Sequence, residues 1–232
     1  AEFFCFLEKS QIKIKSEWFP YNKGGAYRKW AGNDEFIIKY KNGGKDILEF
    51  VRKKYPRISD PEFVIKNRKS YFVESITWSY ISSSNLGVRY SKPGFIFDVS
   101  GSSFFLIDNN YSLHYILGFL TSKLAKRFLD AVNPTMNIQA GDIGKLPIIN
   151  SSTEVINDIV VNSINKSDLE WNSREKSWDF NENSLINQNN ESINDSYKLY
   201  QKHWQSQFYQ LHSNEEELNK QFIEIYGLQS EL

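Results

Sequence analysis

The sequence predicts an α/β fold of the α+β kind: a mixed-sheet domain with one long amphipathic helix over residues 1–149, then a helical region over residues 150–232. Three observations predict it. Short runs of β-branched and aromatic residues in the first part are separated by Gly, Asn and Pro turns. Leu113, Ile116, Leu117, Leu120, Leu124 and Phe128 recur at three- and four-residue spacing. After Asn150 the composition turns polar and acidic, with apolar residues at helical intervals.

The start, Ala1-Glu2-Phe3-Phe4-Cys5-Phe6-Leu7-Glu8, is strand-like, has no initiator Met and reads as cut from a longer protein. Glu35–Tyr40 predicts a strand closed by the Asn42-Gly43-Gly44 turn. Asp46–Tyr55 follows as a helix whose end carries Arg52, Lys53 and Lys54, cations that suit the helix dipole. Tyr71–Val73, Gly94–Val99 and Ser103–Ile107 predict further strands. The apolar stripe predicts one helix from Ser112 to about Val132, stopped by Asn133-Pro134. Asn137–Ile148 reads as strand, turn, strand. Glu154–Ile164 predicts an amphipathic helix, and the Asn- and Ser-rich stretch 181–194 a surface linker. Ser196–Leu211 has aromatic residues at helical spacing. A capping box at Ser213 or Asn214 opens a separate last helix through Tyr226, with Gly227 as its stop.

Composition narrows the function classes. With 40% hydrophobic and 16% aromatic residues the chain can build a core. It has no apolar run of membrane-spanning length, and its start lacks the pattern of a signal peptide. A single cysteine, Cys5, allows no internal disulfide and fits a reducing cytoplasm. The net charge of zero conceals a split. Residues 1–149 hold 22 Lys+Arg against 14 Asp+Glu, a balance of +8; residues 150–232 hold 6 against 14, a balance of −8. A basic front part is the electrostatic footprint of a nucleic-acid binder, or simply a solvated surface.

Catalytic patterns are missing. His114, His203 and His212 are spread over predicted helices without metal-ligand spacing. There is no P-loop and no Gly-x-Ser-x-Gly elbow. Asp98, Asp108, Asp130 and Asp142 suit turns and loops better than a metal cluster. The positive features are two polar loops. Trp18-Phe19-Pro20-Tyr21-Asn22-Lys23-Gly24-Gly25-Ala26-Tyr27-Arg28-Lys29-Trp30 joins cations and flat rings to glycines that let a backbone approach a ligand. Ser82–Ser91 contains Arg89, and arginine can grip guanine O6 and N7 in bidentate fashion. Ordinary turn chemistry over packed aromatics explains both loops equally well.

Several motifs in order carry a family resemblance. They are Trp18–Gly25 with Arg28-Lys29-Trp30, Ile76-Thr77-Trp78-Ser79, Arg89-Tyr90 with Gly94–Asp98, and Asn133-Pro134-Thr135-Met136-Asn137 followed by Gly141-Asp142-Ile143 and Leu146-Pro147-Ile148. Ser177-Trp178-Asp179-Phe180 and the ending Asn214–Leu228 complete the set. Over essentially its whole length the chain resembles the C-terminal part of the PglX family, adenine-specific DNA methyltransferases of BREX phage-defence systems. Related segments occur in restriction-modification methyltransferases. The resemblance implies a parent whose N-terminal Rossmann-like domain binds S-adenosylmethionine and methylates adenine N6 in a short, non-palindromic site. It implies that this region is the target-recognition domain, clamping double-stranded DNA against the catalytic half. The family's Asn-Pro-Pro-Tyr motif and Gly-rich cofactor loop are absent here, so the chain alone is expected to be non-catalytic and to bind no cofactor.

The expected DNA contacts are Lys23, Arg28, Lys29, Arg89 and Lys92, with Tyr21, Asn22, Ser84, Asn85 and Tyr90 beside them. The expected partners are duplex DNA, the methyltransferase domain of the parent, other BREX proteins and phage inhibitors that mimic DNA charge; no membrane is expected. The acidic helices would repel DNA and so are expected to support the clamp or meet proteins. The rival reading is a protein-interaction module using the aromatic Tyr197–Tyr209 helix or binding an acidic partner.

Overall fold

The computed structural model describes residues 17–81, 85–108, 110–151, 153–186 and 192–231. Within these the chain forms two three-stranded sheets and six α-helices. The first sheet has the order β2-β1-β5: β1 (Trp18–Asn22) runs antiparallel to β2 (Phe36–Lys39) and parallel to β5 (Ile96–Phe97). The second has the order β4-β3-β6, with β3 (Ser75–Ser79) antiparallel to both β4 (Val88–Ser91) and β6 (Gly101–Phe104). This is the mixed α+β architecture that the patterning predicts.

Helix α1 (Lys41–Lys54) opens irregularly, because Asn42, Gly43 and Gly44 all have left-handed φ. Gly44 must be glycine here: a Cβ would lie 2.4 Å from the Tyr40 ring. Two single 3₁₀ turns, Pro61–Phe63 and Arg68–Ser70, bring the chain back along α1. The expected strand at Tyr71–Val73 does not form, since Phe72 sits at φ 67°. Its N–H still reaches the Phe95 carbonyl at 2.9 Å, and its ring joins the cluster of Phe19, Tyr40, Tyr71, Ile96 and Phe97 under the first sheet. The strand expected over 94–99 shrinks to Ile96–Phe97, and the one expected over 103–107 lies at Gly101–Phe104.

The predicted helix 112–132 is two: α2 (Leu113–Thr121) and α3 (Lys123–Val132). Ser122 breaks it with extended dihedrals. Its Oγ accepts from Ala125 N at 3.1 Å and its hydroxyl donates to Phe119 O at 2.6 Å, so one side chain closes one helix and caps the next. Strand, turn, strand over 137–148 is also corrected. Asn137 makes a single bridge to Ile81, and α4 (Ala140–Ile143) follows. Asp142 selects the turn by accepting from Gln139 N at 3.0 Å and Asn133 Nδ2 at 2.6 Å.

Helix α5 (Glu154–Asn172) is longer than its apolar spacing predicts. Helix α6 (Ile193–Ile225) is one 33-residue helix, not two. Asn214 does not cap a new helix, because it is buried and donates to Asn162 Oδ1 at 2.9 Å and Ser163 Oγ at 3.1 Å on α5. Gly227, at φ 66°, follows the end of α6 as expected. The main core joins Trp30, Ile76, Trp78 and Val88 to α2, to Ile156, Val160 and Ile164 of α5, and to Leu218 and Phe222 of α6. It therefore crosses the boundary at 149/150. Among the described residues no helix is long and apolar enough to cross a membrane.

Candidate nucleic-acid interface

The Gly-rich loop after β1 is held from inside. Gly24 and Gly25 have φ of 80° and 152°, and a Cβ on Gly24 would meet the Ser100 carbonyl at 2.5 Å. Ser79 Oγ accepts from Gly25 N and donates to Gly25 O, both at 3.0 Å. The glycines thus allow the loop to approach β3 and the turn before β6. Asn22 is buried and donates to Ser91 Oγ at 2.8 Å. Tyr21 donates its hydroxyl to Asp98 Oδ2 at 2.5 Å; burial first, then this bond, push the phenol well above its ordinary value.

Arg28 and Lys29 of the loop, and Lys92 after β4, turn towards the acidic helices. Arg28 Nη2 meets Glu170 Oε2 at 2.5 Å and donates to Ser167 O at 2.9 Å. Its Nε donates to Ala31 O at 2.6 Å, and the guanidinium lies 5.0 Å from the Trp171 ring. Burial alone would raise the Glu170 carboxyl, but hydrogen bonds and charge from Arg28 and Arg174 hold it below its usual range. Lys29 Nζ pairs with Glu215 Oε2 at 2.9 Å, and Trp30 Nε1 donates to Glu215 Oε1 at 2.8 Å. Lys92 pairs with Asp168 Oδ2 at 2.8 Å.

Arg89 is only 3% exposed, and Nη1 donates to Gly87 O at 3.3 Å. Burial lowers its pKa to about 10, opposed by the charge of Asp34, whose carboxyl burial raises to about 6. In this fold the guanidinium lies inside the domain and not on an open surface. Tyr90 donates to Glu74 Oε2 at 3.0 Å and stacks on His114 at 5.8 Å between centroids; burial, then the Glu74 bond, raise its phenol. Lys23 is exposed above the Tyr21 ring, and Asn85 is exposed too. Ser84 lies outside the described residues. The structure therefore brings Arg28, Lys29 and Lys92 together on α5 and α6, and does not gather the ten candidates on one open face.

No motif in the sequence singles out the partners Asp168, Glu170 and Glu215. The +8/−8 split was their one signal in the sequence. Lys123–Glu216, at 2.8 Å, repeats the pattern, and Lys176–Glu35, at 3.9 Å, reverses it.

No family model matches the chain. It is 40% identical over 227 residues to "Adenine-specific methyltransferase PglX" of Lacticaseibacillus casei (strain Zhang), covering 96% of this chain and 19% of that protein. The chain is a PglX-like segment. It is also 34% identical over 220 residues to "Adenine-specific methyltransferase BrxX" of Escherichia coli O9:H4 (strain HS), covering 94% of this chain and 17% of that protein. It spans less than a fifth of the length of these curated relatives.

In this PglX-like segment glycines lead from β2 into α1, where the Tyr40 ring fills the space at Gly44 and Arg68 Nη2 donates to Gly43 O at 3.0 Å. The segment has a cleft of about 560 Å³ between the loop, α5 and the middle of α6. Tyr27, Tyr200, Trp204 and Phe208 line it, and Lys166 bridges it to Gln207 at 2.8 Å.

Proposed function

We propose that this chain is the duplex-binding, target-recognition part of a BREX-type adenine N6 DNA methyltransferase acting in the cytoplasm. Methyl transfer from S-adenosylmethionine then belongs to other parts of the parent protein. The observation that carries this reading is the match of nearly the whole chain to less than a fifth of two proteins called adenine-specific methyltransferases. Physical logic supports it. A base methylated inside a duplex must leave the stack, so a separate clamp that holds the backbone is useful. The test is fluorescence anisotropy of a labelled duplex titrated with the chain at several salt concentrations. Saturable binding with a steep salt slope is expected, because each neutralised phosphate releases counterions. Absence of binding at low salt, from this chain and from the full-length parent, defeats the reading.

One observation favours a second reading, a surface for proteins. Residues 193–210 of α6 contain no buried side chain, and Tyr197, Leu199, Phe208 and Tyr209 are exposed along it. Under this reading the apolar helix face and its cleft dock other parts of the parent or other defence proteins, and the binding changes little with salt.

A further inference from the structure

We propose that the DNA backbone is gripped by α1 and the return segment behind it, residues 39–69, and not by the Gly-rich loop. The proposal rests on the duplex-binding reading and assigns its surface. This segment holds 10 Lys+Arg against 4 Asp+Glu, a balance of +6 out of the +8 carried by residues 1–149. Of the other candidates, Arg28, Lys29, Lys92 and Lys123 each pair with a carboxylate of α5 or α6, which leaves the Gly-rich loop only Lys23 as an exposed cation without an ion pair among the described residues.

Within the segment the acids are also engaged. Lys39 meets Asp46 at 3.2 Å, Lys45 meets Glu49 at 3.7 Å and Arg68 meets Glu62 at 3.8 Å, while Asp60 accepts from Glu62 N. Arg52, Lys53, Lys54, Arg57 and Lys66 are exposed and form no ion pair among the described residues. Three cations at a helix end satisfy the dipole and would carry no argument by themselves. Arg57 and Lys66 lie beyond the helix, where the dipole does not reach.

The placement suits a strand of phosphates. The regular part of α1, residues 45–54, is about 15 Å long. The return segment packs against it through the turn Pro61–Phe63, and Arg68 ties it to the start of α1 through Tyr40 Oη and Gly43 O, each at 3.0 Å. At about 3.4 Å of duplex rise per phosphate on each strand, that length faces about four phosphates of one strand. Apolar groups stand among the cations: Phe63 is 71% exposed, and Lys54 lies 5.5 Å from the exposed rings of Phe50 and Tyr55. Such rings can lie against the apolar faces of the sugars between phosphates.

The test is duplex anisotropy across a salt series with the triple variant Arg52→Gln/Lys53→Gln/Lys54→Gln. The control is Lys202→Gln/Lys220→Gln on α6, whose side chains are exposed. All five positions are on the surface, and circular dichroism checks that the fold is kept. The triple variant is expected to lower affinity by about tenfold or more at low salt and to reduce the slope of log K against log salt by about three, while the control leaves both unchanged. Three results overturn the proposal. Wild-type binding that the triple substitution leaves intact removes this surface but keeps the duplex-binding reading. Failure of the unaltered chain and of the full-length parent to bind removes both. Binding of poly-glutamate as tight as that of the duplex assigns the surface to an acidic protein.

Discussion

Arg89 shows how a residue's role depends on which way its chain points. As a loop arginine it has the right chemistry for guanine, yet it lies in the interior with Asp34 as its counter-charge. We expect Arg89→Leu to destabilise the fold by about 1–3 kcal/mol, because its hydrogen bond to the Gly87 carbonyl and its charge near Asp34 are both lost while Lys92 and Arg28 remain near Asp34. The pH dependence has a definite sign. The Asp34 carboxyl has a folded value of about 6, above its unfolded value near 3.9, so the folded state binds the proton more tightly. Its contribution to stability is therefore greatest in acid and declines as pH rises towards 6. Losing Arg89 raises that value further, so the variant should be penalised more at pH 8 than at pH 5. Urea unfolding at the two pH values measures this; an equal penalty would show that Asp34 does not feel Arg89. Trp30 makes the same point. Its φ of 72° is unfavourable for a large side chain, yet it is held by Glu215 at the indole and by Val88 and Tyr90 at the backbone.

Among the elements, the α2–α5 crossing is set by Gly118. A Cβ there would lie 2.8 Å from Val160 Cγ2. Gly118→Ala should cost about 1–3 kcal/mol by forcing the helices apart, despite alanine's better helix propensity. Adding Val160→Ala opens the space again, so the double variant should be more stable than the two single losses predict, by about 1 kcal/mol. Additive losses in thermal unfolding would mean that the contact is not what limits the approach. Ser122 and Asn214 decide the remaining helix boundaries in opposite directions. Ser122 finds its partners within its own turn and breaks a helix, while Asn214 finds them on α5 and lets α6 continue.

For the whole molecule, the basic and acidic parts neutralise each other where they touch. The core is shared in the same way, with α5 and α6 burying Ile156, Val160, Leu218 and Phe222 against α2, β3 and β4. Ending the chain at Ile149 would uncover that surface. We expect such a truncation to lose cooperative urea unfolding and dispersed amide resonances, whereas a sharp transition in the fragment would show that residues 1–149 fold alone. The exposed cations Arg52, Lys53, Lys54, Arg57 and Lys66 of α1 and its return segment, far in sequence from the acidic helices, form no ion pair with them among the described residues.

The sequence by itself determined the α+β class, the positions of most helices and the Gly227 stop, because periodicity and glycine conformation are local properties. Its motifs also pointed to the PglX family, and the +8/−8 split announced that two unlike parts would meet. Only the tertiary structure decided which cations are satisfied internally. Arg28 and Glu170, or Lys29 and Glu215, are far apart in the chain, and no local pattern says that they will touch. The same holds for Asn214, whose partners lie on α5 and are supplied by packing, whereas Ser122 breaks its helix with partners from its own turn, in competition with the apolar stripe that runs through it.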